Sequence, residues 1–200
     1  MVAIHSGSFT AYGAEKSSWT TLAQSVPQGA DKIIISEENH GWNVGDELVI
    51  ATSGGAGSIE QNEKRKIRTF YRRIITLDRP LKFDHNIGLE EYGGISRNFE
   101  IEVINLSRKI KITGSKSDKG FGGHLVGGNG ANFIKLSHVE LETVGQEFKL
   151  GKYPIHFHLT GRDDESFVKS CSVHKRGLKF DIRISRPLKC ILTYCDPLYS

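Results

Sequence analysis

The stretch Ile155-His-Phe-His-Leu159 sets two imidazoles two residues apart. In an extended strand neighbouring side chains point to opposite faces. Ile155, Phe157 and Leu159 therefore share one face, and His156 and His158 share the other. The apolar face must turn to a core, which puts both imidazoles on an outer face or in a surface groove. Side chains two apart on one strand face lie roughly 6–7 Å from each other, close enough to grip one sugar or, with a third ligand, one metal. A histidine can act as general acid or base because its pKa lies near neutrality. The alternative is a polar ladder on the surface of stacked strands. A few residues on, Asp163, Asp164 and Glu165 form an acidic turn, which most simply is solvated. That turn could ligate calcium, but no complete D-x-[DN]-x-[DN]-G loop is present, so no metal site and no cofactor are expected.

The elements that must position these groups read as nearly all β. Short runs rich in Ile and Val recur between glycine and polar clusters, among them Asp31–Ser36, Glu47–Ala51, Arg73–Leu77, Phe99–Ile104, Lys109–Thr113, Phe133–Leu136 and Phe167–Ser170. Several alternate strictly, the period of a half-buried strand, and no helical i, i+3, i+4, i+7 pattern is sustained. Phe133-Ile-Lys-Leu-Ser-His-Val139 matches Phe167-Val-Lys-Ser-Cys-Ser-Val173 at an offset of 34. Fixed-period strands facing one way are what a stacked-coil solenoid requires, each coil covering the apolar face of the last. Glycine clusters (Gly54-Gly55, Gly93-Gly94, Gly122-Gly123, Gly127-Gly128) would supply left-handed corners. A β-sandwich is the structural rival. The expected fold class is all-β, a partial right-handed single-stranded parallel β-helix of the pectin-lyase kind. Residues 1–30 are assigned to a lead-in segment, 31–176 to parallel coils and 177–200 to a divergent C-terminal tail.

Composition narrows the class. The chain has 200 residues, enough for one sizeable domain, with 38% hydrophobic residues and 22 glycines. Its formal charge of +4 could favour a polyanion but is small for a dedicated nucleic-acid binder, and no nucleic-acid module accompanies it. No run approaches the roughly 20 apolar residues of a membrane helix, and the first residues lack the pattern of a signal peptide. Cys171, Cys190 and Cys195 make neither a disulfide scaffold nor a CxxC zinc pattern. Gly127-Gly-Asn-Gly130 lacks the Lys-Ser/Thr of a phosphate loop. His124 and His138 read as hydrogen-bonded structural histidines. Asn105-Leu-Ser107 is a sequon, usable only in a secreted chain. Trp19 and Trp42 are expected to pack the first coils.

Two segments resemble a known family. Trp42-Asn-Val-Gly-Asp-Glu-Leu-Val-Ile-Ala-Thr52 is similar to a strand of the fibrocystin and cell-migration-inducing hyaluronidase superfamily. Val144-Gly-Gln146 with Gly151-Lys-Tyr-Pro-Ile-His-Phe-His-Leu159 resembles the "M-G-Q … G-x-Y-P-I-H-F-H-L" segment of its hyaluronidase branch. Between and around them Ser18-Trp19-Thr20, Glu63-Lys-Arg65, Leu77–Leu81, Ile95-Ser-Arg97 and Gly122-Gly-His124 agree in order, so that the likeness covers roughly residues 7–176. The resemblance implies a secreted or cell-surface ectodomain with a G8 module and a parallel β-helix. It also implies hyaluronan or another acidic glycan as partner and, in some members, endo-acting hydrolysis. Under that reading the chain begins partway into the family pattern, and residues 177–200 depart from it, as does Arg162, where the family usually carries an acidic residue.

The resemblance also gives the candidate residues roles. His156, His158, Asp163 and Asp164 become the catalytic candidates. Glycoside hydrolysis uses two carboxylates about 5–5.5 Å apart for retention, or about 6.5–9.5 Å for inversion. Tyr153 would stack on a sugar face, and Lys152, Arg162, Lys169 and Arg176 would meet its carboxylates. Arg65, Lys66, Arg68, Arg72 and Arg73 form a second cationic cluster. A solvated basic rim is the alternative for both groups, and a non-catalytic fibrocystin-like adhesion module or an inactive short form the alternative function.

Overall fold

The structure, a computed structural model, describes residues 1–54, 57–115, 122–146, 151–158, 165–174 and 190–192. In chain order β1 (Val2–Ile4) and β2 (Gly7–Tyr12) precede β3 (Trp19–Thr21), β4 (Lys32–Ile34) and β5 (Glu47–Ile50). Next come β6 (Glu63–Tyr71), β7 (Ile74–Leu77), β8 (Gly88–Tyr92), β9 (Ile95–Phe99) and β10 (Glu102–Asn105). The last are β11 (Ile110–Thr113), β12 (Leu125–Gly127), β13 (Ala131–Ser137), β14 (Val139–Glu142), β15 (Ile155–Phe157), β16 (Phe167–His174) and β17 (Cys190–Leu192). The chain is all-β, as the alternating runs predict. It divides into two compact units, Met1–Glu15 with the chain from Arg108 onward, and Lys16–Ser107.

In the first unit the ladders are parallel. One runs β1-β12-β15, a second β2-β13-β16 with β17 beyond β16, and a third β11-β14-β16. Successive passes of the chain thus visit three sheets in the same order. Leu125 pairs with Ile155, an offset of 30, whereas Lys135 pairs with Phe167 and Leu141 with Val173, an offset of 32. The expected offset of 34 therefore joins the right segments two residues out of register. A slip of two preserves which side chains face inward, because the strand period is two, so side-chain pattern alone does not expose it. The inward residues Leu125, Ile134, Leu136, Val139, Leu141, Ile155, Phe157, Val168 and Val173 form one buried cluster.

The corners differ from expectation. Of the four glycine pairs only Gly93 and Gly94 are both left-handed, and they turn the β8–β9 hairpin of the other unit. In the parallel unit His138 (φ 53°) and Ser170 (φ 53°) occupy one corner in successive passes, and Thr143 (φ 55°) another. At the place below His138 stands Gly13, where a Cβ would lie 2.0 Å from the His138 carbonyl oxygen. Here glycine serves close stacking of backbones, with its N–H donating to the Ser137 carbonyl at 2.8 Å.

The second unit is antiparallel. Its strands run in the order β3-β10-β5-β6-β7-β4. A bridge between Leu22 and Ile35, with Ala23 N–H donating to Ile34 O (2.8 Å) and Ser36 N–H to Thr21 O (2.9 Å), joins the two ends and closes the path. Leu22, Val26, Ile33, Ile35, Trp42, Leu48, Ile50, Ile67, Ile75, Leu77, Leu81, Ile101 and Val103 fill it. Parallel coils were expected from residue 31; residues 31–107 pair antiparallel instead, and the parallel strands start at residue 2. A strand with one buried face alternates identically in either orientation, so the pattern could not distinguish them. Of the two tryptophans only Trp42 is buried, its Nε1–H donating to Ser17 O at 2.7 Å, while Trp19 is about half exposed. Of the tail only Cys190–Leu192 lies within the described residues.

Candidate functional site

The histidine strand is β15, and its faces are as the alternation requires. Ile155 and Phe157 are buried, His156 is half-buried and His158 exposed. Two local features of Gly151-Lys-Tyr-Pro-Ile-His-Phe-His158 set the rings. Gly151 takes φ 78°, and its carbonyl lies 2.8 Å from His156 Nδ1. A carbonyl can only accept, so Nδ1 carries the proton and the neutral ring keeps Nε2 as its acceptor. Tyr153 meets the His156 ring edge-on at 5.3 Å, and His158 meets it at 5.2 Å, also edge-on. Pro154 packs against Gly145, where a Cβ would come within 2.9 Å of its Cδ.

The neighbouring strands supply the rest of this outer face. Ala3, Val126 and His156 stand in one row across β1, β12 and β15. In the next row the His5 ring lies against Gly128, where a Cβ would sit 3.2 Å from Nδ1. The small residues leave room for the imidazoles. With Leu125 in the core, His124 falls on the outer side as well. It is 7% exposed, and neither ring nitrogen has a hydrogen-bond partner among the described residues. Burial pushes its pKa below the ordinary value, and the Lys152 ammonium and His156 push the same way. Among the described residues His124 thus lacks the hydrogen bond expected of a structural histidine. Sequence reasoning missed it and His5, although the odd–even pattern around core Leu125 carried the signal.

Not every expected partner joins this face. Lys152 and Tyr153 do, by their interactions with His124 and His156. Lys169 does not: it lies on β16, in a different sheet, paired with Ser137. Asp163, Asp164, Arg162 and Arg176 lie outside the described residues. Among the described residues no carboxylate contacts His156 or His158.

Carboxylates gather elsewhere. On the third ladder of the same unit, buried Glu140 accepts from Lys111 Nζ (2.7 Å), His174 Nε2 (3.0 Å) and Arg108 N–H (3.1 Å). Lys111 also reaches Glu142 at 2.9 Å. Burial raises the Glu140 pKa, but these donors outweigh it and hold the carboxyl below its ordinary value. In the antiparallel unit, Glu63 accepts from Arg65, His85 Nε2 (3.2 Å) and the Lys82 and Phe83 N–H groups, while Arg65 donates to Pro80 O. Asp46 accepts from Lys16 Nζ (2.7 Å), Asn105 Nδ2 (2.7 Å) and Asn43 N–H (3.0 Å). Glu63, Arg65 and Asp46 are therefore internal fasteners, and Arg65 leaves the expected cationic surface cluster. Asn105 is fully buried, which leaves no room for a glycan on the folded chain at this sequon.

Comparison with known proteins places this architecture. Residues 120–178 match the CEMIP beta-helix family model. Protein rliB of Dictyostelium discoideum is 35% identical over 180 residues, 87% of this chain and 15% of that protein. A G8 domain-containing protein of the same organism is 32% identical, across 86% of this chain and 15% of its own length. Human fibrocystin-L is 30% identical across 78% of this chain and 5% of its own length. The chain thus spans only a small part of these relatives. A tailspike protein, gp49 of Pseudomonas phage LKA1, aligns over 84% of this chain and 30% of its own at 13% identity, with a TM-score of 0.35, too low for the fold to be read from it. With the family model on the histidine-bearing strands and G8-named relatives aligned along most of the sequence, the chain belongs to the CEMIP/fibrocystin-like family of G8 and β-helix proteins.

Proposed function

We propose that the parallel unit is part of a right-handed β-helix whose outer face, carrying His156 and His158, binds an acidic glycan such as hyaluronan. Three sheets visited in the same order by successive passes support the coil, and right-handed crossovers are the rule for parallel strands. The observation that carries the binding reading is the imidazole-lined face itself, where His5, His124, His156 and His158 stand among Ala3, Val126 and Gly128 beside Tyr153 and Lys152. Tyr153 offers a ring for a sugar face, Lys152 offers positive charge to a uronate, and His156 Nε2 offers an acceptor to a sugar hydroxyl. His156 Nε2 and His158 are positioned to exchange protons with a bound sugar. Hydrolysis would need carboxylates as well, and Asp163 and Asp164 remain the proposed pair, with Arg162 and Arg176 as further contacts. A secreted or cell-surface ectodomain is the setting proposed for this binding. A non-catalytic adhesion module is the second reading, favoured by the match to fibrocystin-L.

Titrating the full chain with a labelled hyaluronan decasaccharide tests the binding. The double variant His156→Ala/His158→Ala should weaken it roughly tenfold, by loss of two hydrogen-bonding contacts of ordinary strength. Unchanged affinity would sink this face as the site. Following the length of high-molecular-weight hyaluronan separates the two readings, since binding without shortening leaves the adhesion module.

A further inference from the structure

Outside the histidine face, three exposed apolar side chains, Phe70, Tyr71 and Ile74, gather at the β6–β7 hairpin of the antiparallel unit. Ile34 pairs with Ile74, and Ile74 with Tyr71, so these three form one row across β4, β7 and β6. Their neighbours Ile33, Ile75 and Phe70 turn the other way, the isoleucines into the core and Phe70 edge-on to buried His40 at 5.4 Å. The row is therefore an outward one, with Tyr71 70% and Ile74 43% exposed. Exposed cations stand on the same strands and turn, Arg68, Arg72, Arg73 and Lys32. The acidic groups in contact are held loosely, Asp31 to Arg68 at 3.5 Å and Glu38 to Arg72 at 3.7 Å, with both partners solvated. Exposed pairs of this kind contribute little and give way readily to a better anion.

The turn adds a second observation. Arg72 sits at the hairpin tip with φ 50°, a conformation that two-residue hairpins normally assign to Asn or Gly. Its guanidinium lies 5.6 Å from the Tyr71 ring centroid. A residue that costs this turn more than Asn or Gly would stands at its tip, and its side chain has an aromatic ring beside it.

We infer that this hairpin face is a second anionic-polysaccharide contact, with Tyr71 and Ile74 lying against a sugar face and Arg68, Arg72 and Arg73 meeting its carboxylates. The choice of occupant rests on charge complementarity and on the glycan reading proposed above; the surface itself does not depend on the histidine face. A planar guanidinium takes a carboxylate in two parallel hydrogen bonds, and an adjoining ring supplies the apolar contact that a sugar offers.

The full chain, its Tyr71→Ala and Arg72→Gly variants and the His156→Ala/His158→Ala variant are titrated with a hyaluronan decasaccharide, with dextran as a neutral control. Each hairpin variant should lose about fivefold in affinity, more at low salt, while its melting temperature holds or, for Arg72→Gly, rises. Loss in the hairpin variants with no loss in the histidine variant upholds this inference and rejects the histidine face. Loss in the histidine variant alone rejects this inference and leaves that face standing. No binding by the full chain, or binding to mixed phosphatidylcholine–phosphatidylserine vesicles in place of the glycan, overturns the assignment of the occupant.

Discussion

Glu140 offers a quantitative test of how the parallel unit is fastened. Its side chain is 3% exposed, and it accepts from Lys111, His174 and the Arg108 N–H. Glu140→Ala leaves the Arg108 N–H without this acceptor and strips His174 Nε2 of its partner, while the Lys111 side chain, 44% exposed, turns to water. Losing this buried acceptor from His174 Nε2 and the Arg108 N–H costs about 3 kcal/mol, the low end for breaking a buried ion pair. For a chain of this size that lowers the melting temperature by roughly 6–12 °C. Glu142, two residues on, shares Lys111 but is 16% exposed, and Glu142→Ala should cost no more than about 1 kcal/mol. The assay is thermal unfolding followed by circular dichroism. The pH dependence provides an internal check. The Glu140 pKa is held below its unfolded value of 4.5, so its contribution is complete above that value and is lost as pH falls through the folded one. Wild type and Glu140→Ala should therefore converge in stability on acidification below about pH 4.5. Equal losses in the two alanine variants at pH 7, or a gap that widens in acid, would refute the reasoning.

Three further outcomes follow. Gly13→Ala sets a Cβ 2.0 Å from the His138 carbonyl oxygen, backbone against backbone, and should cost about 3 kcal/mol by differential scanning calorimetry; a loss under about 1 kcal/mol would mean the passes are not stacked as described. His124 and His138 both have pKa values lowered from 6.5, burial being the leading cause in each. The unfolded chain then binds more protons below that pH, so stability should fall on acidification from pH 7 to 5.5, and less steeply in His124→Leu; parallel slopes would contradict the buried, unpartnered placement of that ring. Because Asn105 is buried against Asp46, chain expressed through a secretory pathway and folded should carry no glycan there, and a glycosidase-sensitive mass on Asn105 in folded protein would contradict its placement.

Much of this molecule follows from local pattern. Alternation identified the strands, assigned Ile155 and Phe157 to a core, and set His156 and His158 outward, because side-chain direction in a strand depends only on its period of two. The motif Gly151-Lys-Tyr-Pro154 marked the histidine strand, and the structure supplies its chemistry, a left-handed glycine whose carbonyl fixes a tautomer. Strand orientation and register lay beyond local pattern. Parallel and antiparallel partners bury the same alternating face, so residues 31–107 read as coils until their partners were known. A two-residue slip hides in the same period, and the corners expected at glycine pairs fell to the single glycines Gly7 and Gly130 and to His138, Thr143 and Ser170. The fate of charged residues was likewise tertiary. Arg65 and Arg68 stand three apart in one basic run, yet one is clamped on Glu63 and the other lies in solvent. His124, read as a satisfied core residue, is buried beside Lys152 and His156 without a hydrogen bond among the described residues. Which side chains face each way is a property of one strand; which of them meet is a property of how strands from distant parts of the chain are laid side by side.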